Sequence, residues 1–374
     1  MHQHLSENNI KLFDLDPWHE SVDMSQLMDE VKTSITLFVQ LKDEEAIAIA
    51  FWILHCFFIR LPKQPQLLQC SPILNITSPE KRCGKSTLRE LIEELVPRPL
   101  SVMGITSSAL FHTIEAKCPT FLIDEADTFL RNNSDVTRII NSGYKQDGRT
   151  MRMGGKTYDE TLSFSTWCAK CIVGIGKNLT DTTKDRSITI RLKRKKNSEN
   201  VLSKNRVLKD DPEFFITLKR KMIRFVLDHE KQIINCPIEM PIEMNDRTQD
   251  NWEGIYQIAS FIGEDTLHKV HSAAMTLSSD KYDDDSVGIE LLRDIKKILD
   301  TVTFEKIPSA NLVERLNADE SRPWHYMNHK GLNQLNLANM LKEFEVHPIQ
   351  LGGNSTNQRG YLSAALKDAF DRYL

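Results

Sequence analysis

The sequence has no surplus of positive charge. Its 374 residues carry 48 lysines and arginines against 52 aspartates and glutamates, a formal net charge of -4 with a pI near 6.3. No chain-wide field therefore draws it to phosphate, and any nucleic-acid contact must come from local basic patches. It also lacks an apolar run that would span a bilayer. The most apolar stretch, from Ala46 to Leu61, falls short of the roughly 20 residues required and contains His55 and Arg60, so it reads as a buried helix. The seven cysteines (Cys56, Cys70, Cys83, Cys118, Cys168, Cys171, Cys236) are scattered and odd in number. Met1 is not followed by a basic-then-apolar leader. Secretion and a disulfide framework are disfavoured, and a reduced cytoplasmic setting with no membrane partner is expected. Cys168 and Cys171 form a CxxC, but no second pair or suitable histidine pair accompanies them. On an extended strand residues three apart point to opposite faces, so the zinc and redox readings are rejected. No internal repeat or low-complexity tract is visible.

What is present is an ordinary soluble composition, 40% hydrophobic and 27% charged. The length exceeds what one core usually holds, so two to three domains are the prior. A polar leader to about residue 23 precedes two helices, from Met24 to about Lys42 and from Asp43 to about Arg60, which together form an N-terminal helical cap. From Pro72 short apolar runs alternate with helical stretches, the signature of a parallel sheet covered on both faces. The expected strands are Pro72 to Thr77, Leu100 to Met103, Thr120 to Ile123, Ala169 to Ile175 and Ser187 to Leu192, with helices at Lys85 to Leu95 and Ser107 to Ala116. A basic end, Leu192 to Lys196, leads into a polar linker. Helices then follow at about Pro212 to Gln232 and Asp246 to Phe261, the second capped by Asn245, as a helical lid. Beyond an acidic hinge at Asp280 to Asp285, three helices and a closing hairpin suggest a winged helix. The expected fold is α/β, with segments 1–66, 67–196, 197–283 and 284–374.

The strongest chemical signal is Ser78-Pro79-Glu80-Lys81-Arg82-Cys83-Gly84-Lys85-Ser86-Thr87, between an expected strand and an expected helix. Backbone N–H groups of such a loop surround phosphate oxygens, Lys85 reaches the β and γ phosphates, and Ser86 ligates magnesium. Pro79 stands where the usual pattern has glycine, which removes a donor and leaves that end of the loop to shape. Thr120 to Glu125 is an apolar strand ending in two carboxylates. Asp124 would hold the magnesium shell, and Glu125 would orient and deprotonate the attacking water. Strand ends of a doubly wound sheet open onto the ligand crevice, so both would face the loop. Asp127 reads as a helix cap or a supporting group.

Other positions carry paired readings. Asn178, after a strand, could position the lytic water or simply cap its loop. Arg186 could project toward a neighbouring subunit's nucleotide, or pair with Asp181 or Asp185. Arg247, in the first turn of a helix, could reach the γ phosphate across the cleft, or form a surface ion pair with Asp246 or Asp250. The hairpin expected at Arg149 to Thr157 carries Arg149, Arg152 and Lys156, suited to a phosphate backbone in a ring's pore; a solvated hairpin is the alternative. The last domain's recognition helix holds few cations, chiefly Lys330 and Lys342 with His329, so DNA and protein docking stand level there.

Together these motifs resemble the P-loop ATPase family known as domain of unknown function 3631, found in phage, plasmid and other mobile-element proteins. The resemblance runs from Ala46 to Leu374 and rests on SPEKRCGKSTL at 78–88, PTFLIDEADTFL at 119–130, the run around 139–144, DRSITIRLKRK at 185–195, NDRTQDNWE at 245–253 and RPW at 322–324. It implies an AAA+ ATPase similar to superfamily 3 helicases, using ATP and magnesium. Lys85, Ser86, Asp124 and Glu125 would carry nucleotide chemistry, with Asn178 at the sensor position and Arg186 at the arginine-finger position. Related proteins often carry a primase-like segment ahead of the ATPase; none is expected in this chain, which leaves open whether a separate primase, nuclease or other effector is a partner. The leading expectation is a ring, expected to be a hexamer, that moves or unwinds single-stranded DNA. The rival is an ATP-gated regulatory or anti-phage defence protein acting through a protein partner. A small-molecule kinase is a third option, for which no acceptor signature is visible.

Overall fold

The computed structural model describes residues 13–59, 69–130, 133–154, 160–176, 178–195, 201–202, 211–279, 287–301, 305–327, 331–342, 344–351 and 358–374. The chain forms two compact units, Met1–Ser279 and Asp280–Leu374. The expected leader up to residue 12, the acidic hinge, Lys156, His329, Lys330, the tip 352–357 and the side chain of Asp127 lie outside the described residues.

In the first unit, helix α1 (Met24–Thr36) starts at Asp23, whose carboxylate accepts from Gln26 N at 2.9 Å. Met24, Leu27, Met28, Val31 and Ile35 give it one buried stripe. It stops six residues short of the expected end, where Leu37 caps it. Helix α2 (Asp43–Ile59) is apolar all round and buried nearly throughout, as a helix at the centre of a core must be. Its one buried indole donor, Trp52 Nε1, reaches Pro72 O at 2.8 Å.

The central sheet holds five parallel strands: β1 (Ile73–Thr77), β2 (Pro99–Val102), β3 (Thr120–Ile123), β6 (Lys170–Val173) and β7 (Ser187–Arg191), ordered β2-β3-β6-β1-β7. Four of them, β1, β3, β6 and β7, are buried on both faces almost throughout, as parallel strands between helices are. Connecting them are α3 (Lys85–Leu95), α4 (Ser107–Lys117), α5 (Ala126–Phe129), α6 (Ser134–Ser142), the antiparallel hairpin β4 (Arg149–Gly154) and β5 (Glu160–Ser165), and α7 (Asp181–Asp185).

Three helices follow: α8 (Phe214–Ile234), α9 (Asp246–Ile262), capped by Asn245 Oδ1 accepting from Thr248 N at 2.9 Å, and α10 (Glu264–Ser279). Residues of α1, α2, α3, β1, β6, β7, α8, α9 and α10 share one hydrophobic cluster. The segments expected as cap, sheet domain and lid therefore pack as a single unit.

The second unit contains α11 (Val287–Thr301), β8 (Lys306–Pro308), α12 (Ser309–Asn317), α13 (Pro323–Tyr326), α14 (Gln334–Lys342), β9 (Ile349–Gln350), β10 (Arg359–Leu362) and α15 (Ser363–Tyr373). Strand β10 pairs antiparallel with both β8 and β9. The motif Arg322-Pro323-Trp324 is a structural clamp. Arg322 Nε and Trp324 Nε1 both donate to the same Asp294 oxygen, at 2.5 and 2.8 Å, tying α13 to α11. Asn317 closes the same turn by donating to Leu332 O and accepting from Leu332 N, each at 2.9 Å.

Candidate functional site

Sheet register places the phosphate loop and the acidic pair on one edge. Ile76 pairs with Val173 and Ile123 with Ile172, so Ser78, Asp124 and Gly174 all leave the sheet at its C-terminal edge. A cleft of about 480 Å³ opens there, lined by Lys81 to Thr87, Asp124, Glu125, Gly174 and Ile175. Helix α3 begins at its mouth because Gly84 takes φ 86°, the left-handed conformation that a side chain would strain. Arg82 at φ 64° and Glu125 at φ 53° hold the same conformation without glycine's freedom. Such backbone persists only where its surroundings enforce it, and it clusters at functional sites.

Lys85 folds back over its own loop. Its ammonium donates to Ser78 Oγ at 2.5 Å and to Glu80 O at 3.2 Å, while Ser78 Oγ donates to Glu80 O at 2.6 Å. Ser78 thus holds the lysine, and Pro79 lies between the two groups that do so. Asp124 is held on both oxygens: Oδ1 accepts from Glu125 N at 2.9 Å, and Oδ2 lies 3.3 Å from Arg89 Nε. Arg89 also donates to Glu93 at 2.7 Å and Ser101 at 2.8 Å. It was not singled out in the sequence, although it sits one helical turn beyond Lys85. Glu125 is exposed, and among the described residues no partner holds its carboxylate. A second cavity of about 390 Å³ borders the same loop, lined by Arg82, Cys83, Gly84 and Thr87 together with Phe38, Val39, Lys193 and Lys195.

Asn178 is not among the residues lining the cleft. It is 3% exposed, and its amide donates to Asn75 Oδ1 at 2.9 Å; Asn75 donates in turn to Thr189 Oγ1 at 3.3 Å. The loop closes so tightly on itself that a Cβ at Gly174 would lie 2.6 Å from that of Asn178. Asn75 also went unread in the sequence; its signal is a polar residue in the middle of the apolar run ILNIT.

Arg186 and Arg247 sit at the opposite edge. Arg186 precedes β7, whose first residue pairs with Ile73 at the N-terminal end of β1, and Ile73 N donates to Arg186 O at 3.0 Å. Arg247 Nε lies 3.2 Å from Asp185, and its Nη1 donates to Asp250 at 3.2 Å. Arg247 therefore meets neither the phosphate loop nor the acidic pair of its own chain, contrary to a reach across the cleft, because α9 begins at the far edge of the sheet. On the described part of the hairpin both arginines are engaged. Arg149 lies at its open end, donating to Ser163 Oγ at 2.6 Å and Ser163 O at 2.9 Å, and Arg152 lies over the Phe111 ring at 5.2 Å. The residues alternating outward are Arg149, Met151 and Met153, the methionines 66% and 58% exposed.

Cys168 and Cys171 are buried free thiols on and beside β6. Burial pushes the Cys168 thiol up to about 11. Lys170 between them is wholly buried, donating to Gly143 O at 2.8 Å and Cys168 O at 2.6 Å, and burial holds its ammonium below the usual range. Among the described residues no cluster of metal-ligating side chains is present, and no helix is long and apolar enough to cross a membrane.

A family described as "Protein of unknown function (DUF3631)" matches residues 191–373. This is the family whose motifs the sequence resembles, and the match begins beyond the phosphate loop and the acidic pair. A curated relative, described as an uncharacterized 28.9 kDa protein in the xis 5' region of Saccharopolyspora erythraea, is 30% identical over 138 residues. That is 36% of this chain and 51% of the relative, so the chain spans about half the length of the protein it matches. Two solved apo structures of the NrS-1 C terminal region align over 94% and 95% of this chain and 78% and 79% of theirs. Their TM-scores are 0.43 and 0.42, at 12% and 10% identity.

Proposed function

We propose that this chain hydrolyses ATP as an AAA+ ring protein, with the described cleft as its nucleotide site. One observation carries the reading: Lys85, Ser86, Asp124 and Glu125 line a single cleft at the C-terminal edge of a parallel sheet, beside a glycine-started helix. Loop N–H groups and the α3 N-terminus would receive the phosphates, and Lys85 would turn from Ser78 toward them. The cavity beside Gly84, which Phe38 and Val39 help to line, would take the base. Ser86 and Asp124 supply hard oxygen donors that fit magnesium, which when bound would neutralise charge on the phosphates. Glu125, whose carboxylate has no partner among the described residues, would take the proton of the attacking water as the water oxygen bonds to the γ phosphorus and the bridge to ADP breaks. Asn178, held against Asn75, would act by fixing the loop after β6.

The biological task that fits best is a DNA translocase or helicase of a phage, plasmid or other mobile element, resting on the resemblance of the motifs. The second reading, an ATP-gated regulatory or defence protein with a protein partner, draws support from the hairpin. Its Arg149 and Arg152 are already engaged, and its outward face presents Met151 and Met153. The lid and winged-helix roles of α8 to α10 and of the second unit belong to this proposal.

Lys85→Ala should abolish magnesium-dependent ATP affinity, whereas Glu125→Gln should bind ATP without turning it over; wild-type hydrolysis by both variants would sink the site. A motor should show turnover stimulated by single-stranded DNA and weakened by Lys156→Ala. If DNA alters neither turnover nor oligomer size, the regulatory reading stands instead.

A further inference from the structure

Arg89 places a fixed positive charge against the carboxylate that follows β3. Its Nε lies 3.3 Å from Asp124 Oδ2, with the two side chains 15% and 24% exposed. The guanidinium does not depend on that contact for its place. Nη1 donates to Glu93 Oε2 at 2.7 Å and to Ser101 Oγ at 2.8 Å, which moors it to the next turn of α3 and to β2. Toward Asp124 the contact is an ion pair alone, for Nε is buried and among the described residues no hydrogen bond satisfies it. Asp124 is held in turn, because its Oδ1 accepts from Glu125 N at 2.9 Å and Oδ2 is the oxygen left facing the guanidinium.

A carboxylate so placed attracts a divalent cation less than a solitary one would. A cation arriving beside Asp124 meets the repulsion of the guanidinium as well as the attraction of the carboxylate, and salt screens partly buried charges weakly. Glu93 and Glu90 meet the other nitrogens of Arg89, Nη1 at 2.7 Å and Nη2 at 3.9 Å, so Nε remains the one turned to Asp124. The rest of the cleft adds to the imbalance. Lys81, Arg82 and Lys85 line it together with the carboxylates of Asp124 and Glu125, so its walls carry more positive than negative charge. Among the described residues no group of three metal-ligating side chains offsets this. Such a cleft suits a polyanion, and a bare divalent cation only once that polyanion is there.

We propose that Arg89 makes metal uptake conditional on the triphosphate: its charge keeps a divalent cation from settling at Asp124 until phosphate oxygens supply the negative charge that outweighs it. Arg89 is a positioning residue, acting through Asp124, and metal and nucleotide enter the cleft together. The inference rests on the nucleotide-site reading above and names what controls the metal there.

Manganese(II) is the probe, its uptake read from the loss of the free-ion electron paramagnetic resonance signal. Subtracting the same protein with Asp124→Asn isolates uptake at this carboxylate. Wild type should take up Mn²⁺ with a non-hydrolysable ATP analogue roughly tenfold or more tightly than without it. Arg89→Met keeps the aliphatic stem but no charge, and it should bind Mn²⁺ alone roughly tenfold or more tightly than wild type does. Arg89→Lys keeps a cation on the same turn of α3 and should resemble wild type; a lysine variant as permissive as the methionine variant overturns the inference, since charge would not be the cause. If Arg89 only ties α3 to β2, Arg89→Met should melt earlier with its metal uptake unchanged, and that result overturns the inference as well. So does wild-type protein that takes up Mn²⁺ as tightly without the analogue as with it, a measurement that needs no Arg89 variant. Should wild type take up no Mn²⁺ even with the analogue, the nucleotide-site reading itself falls, and this inference with it.

Discussion

Replacing Asn75 with leucine separates two ways in which Asn178 could matter. The two amides meet at 2.9 Å, each residue 3% exposed, and Asn75 also donates to Thr189 at 3.3 Å. Leucine keeps the branching at Cγ but neither donates nor accepts, so the Asn178 amide would stay buried without its partner. An orphaned buried donor costs about 1–3 kcal/mol, and the longer contact to Thr189 adds less than about 1 kcal/mol. Asn75→Leu should therefore destabilise the first unit by about 2–3 kcal/mol, and Asn178→Leu by about 1–3 kcal/mol. Because the double variant leaves neither amide stranded, it should recover about 1–2 kcal/mol of their sum. Urea unfolding of the first unit measures this coupling, and ATP turnover of the same variants measures its consequence. If Asn178 works by being fixed to β1, both single variants slow kcat alike and the double variant is no slower than either. Effects on stability that add within about 0.5 kcal/mol, or an Asn75→Leu enzyme with wild-type kcat and a crippled Asn178→Leu enzyme, would refute the reasoning.

Burial holds the His55 imidazole down to about 4, and among the described residues its Nδ1 has no partner. The unfolded chain binds that proton near pH 6.5, so His55 contributes its full stability above pH 6.5 and loses it as pH falls toward 4. The loss is about 3 kcal/mol, and the thermal midpoint of His55→Gln should fall less steeply with acid than that of wild type. In the second unit, Asp294→Ala strands the buried Trp324 N–H and the Arg322 guanidinium, and should cost about 2–4 kcal/mol, seen as an earlier tryptophan fluorescence transition. Arg152→Ala removes a guanidinium from the Phe111 face, a contact worth about 0.5–1 kcal/mol. It should lower stability slightly and leave DNA-stimulated turnover unchanged; a collapse of that stimulation would return Arg152 to the nucleic-acid surface. Turnover per chain should fall on dilution while ATP affinity stays constant, and turnover that survives dilution to monomers, checked by light scattering, would dismiss the ring reading.

The sheet was legible because its strands are short runs rich in β-branched and apolar residues, three of them opened by Pro72, Pro99 and Pro119, and because Gly84 and the lysine after it mark a helix start. Helix α10 was not, since its sequence, rich in Ser, Thr and His, has weak helical preference and gains its order by packing on α2. Strand β8 has three residues and exists only because β10 pairs with it, and α15 follows β10 with no turn residue to mark the change. The same distinction governs the site. Lys85, Ser86, Asp124 and Glu125 announce themselves by local spacing. Arg89 and Asn75 become intelligible only when β3 and the loop after β6 are brought beside them. Arg247 is the sharpest case, for the first turn of a helix tells nothing of which sheet edge that helix meets.

That last point bears on how a chain of this kind would be controlled. A parallel sheet has two chemically different edges: here Lys85 and both carboxylates lie on one, Arg186 and Arg247 on the other. On the proposed function, one copy would hold the groups that nucleotide binding needs, with Arg186 and Arg247 outside its own cleft. On the ring reading, binding would be a property of the single chain and hydrolysis a property of the contact between copies. Whatever sets the contact between copies, whether DNA in a pore or a protein partner, would set the rate without changing the affinity. This separation suits the motor and the switch equally, which is why the readout that distinguishes them is the ligand that stimulates turnover and not the chemistry of the cleft.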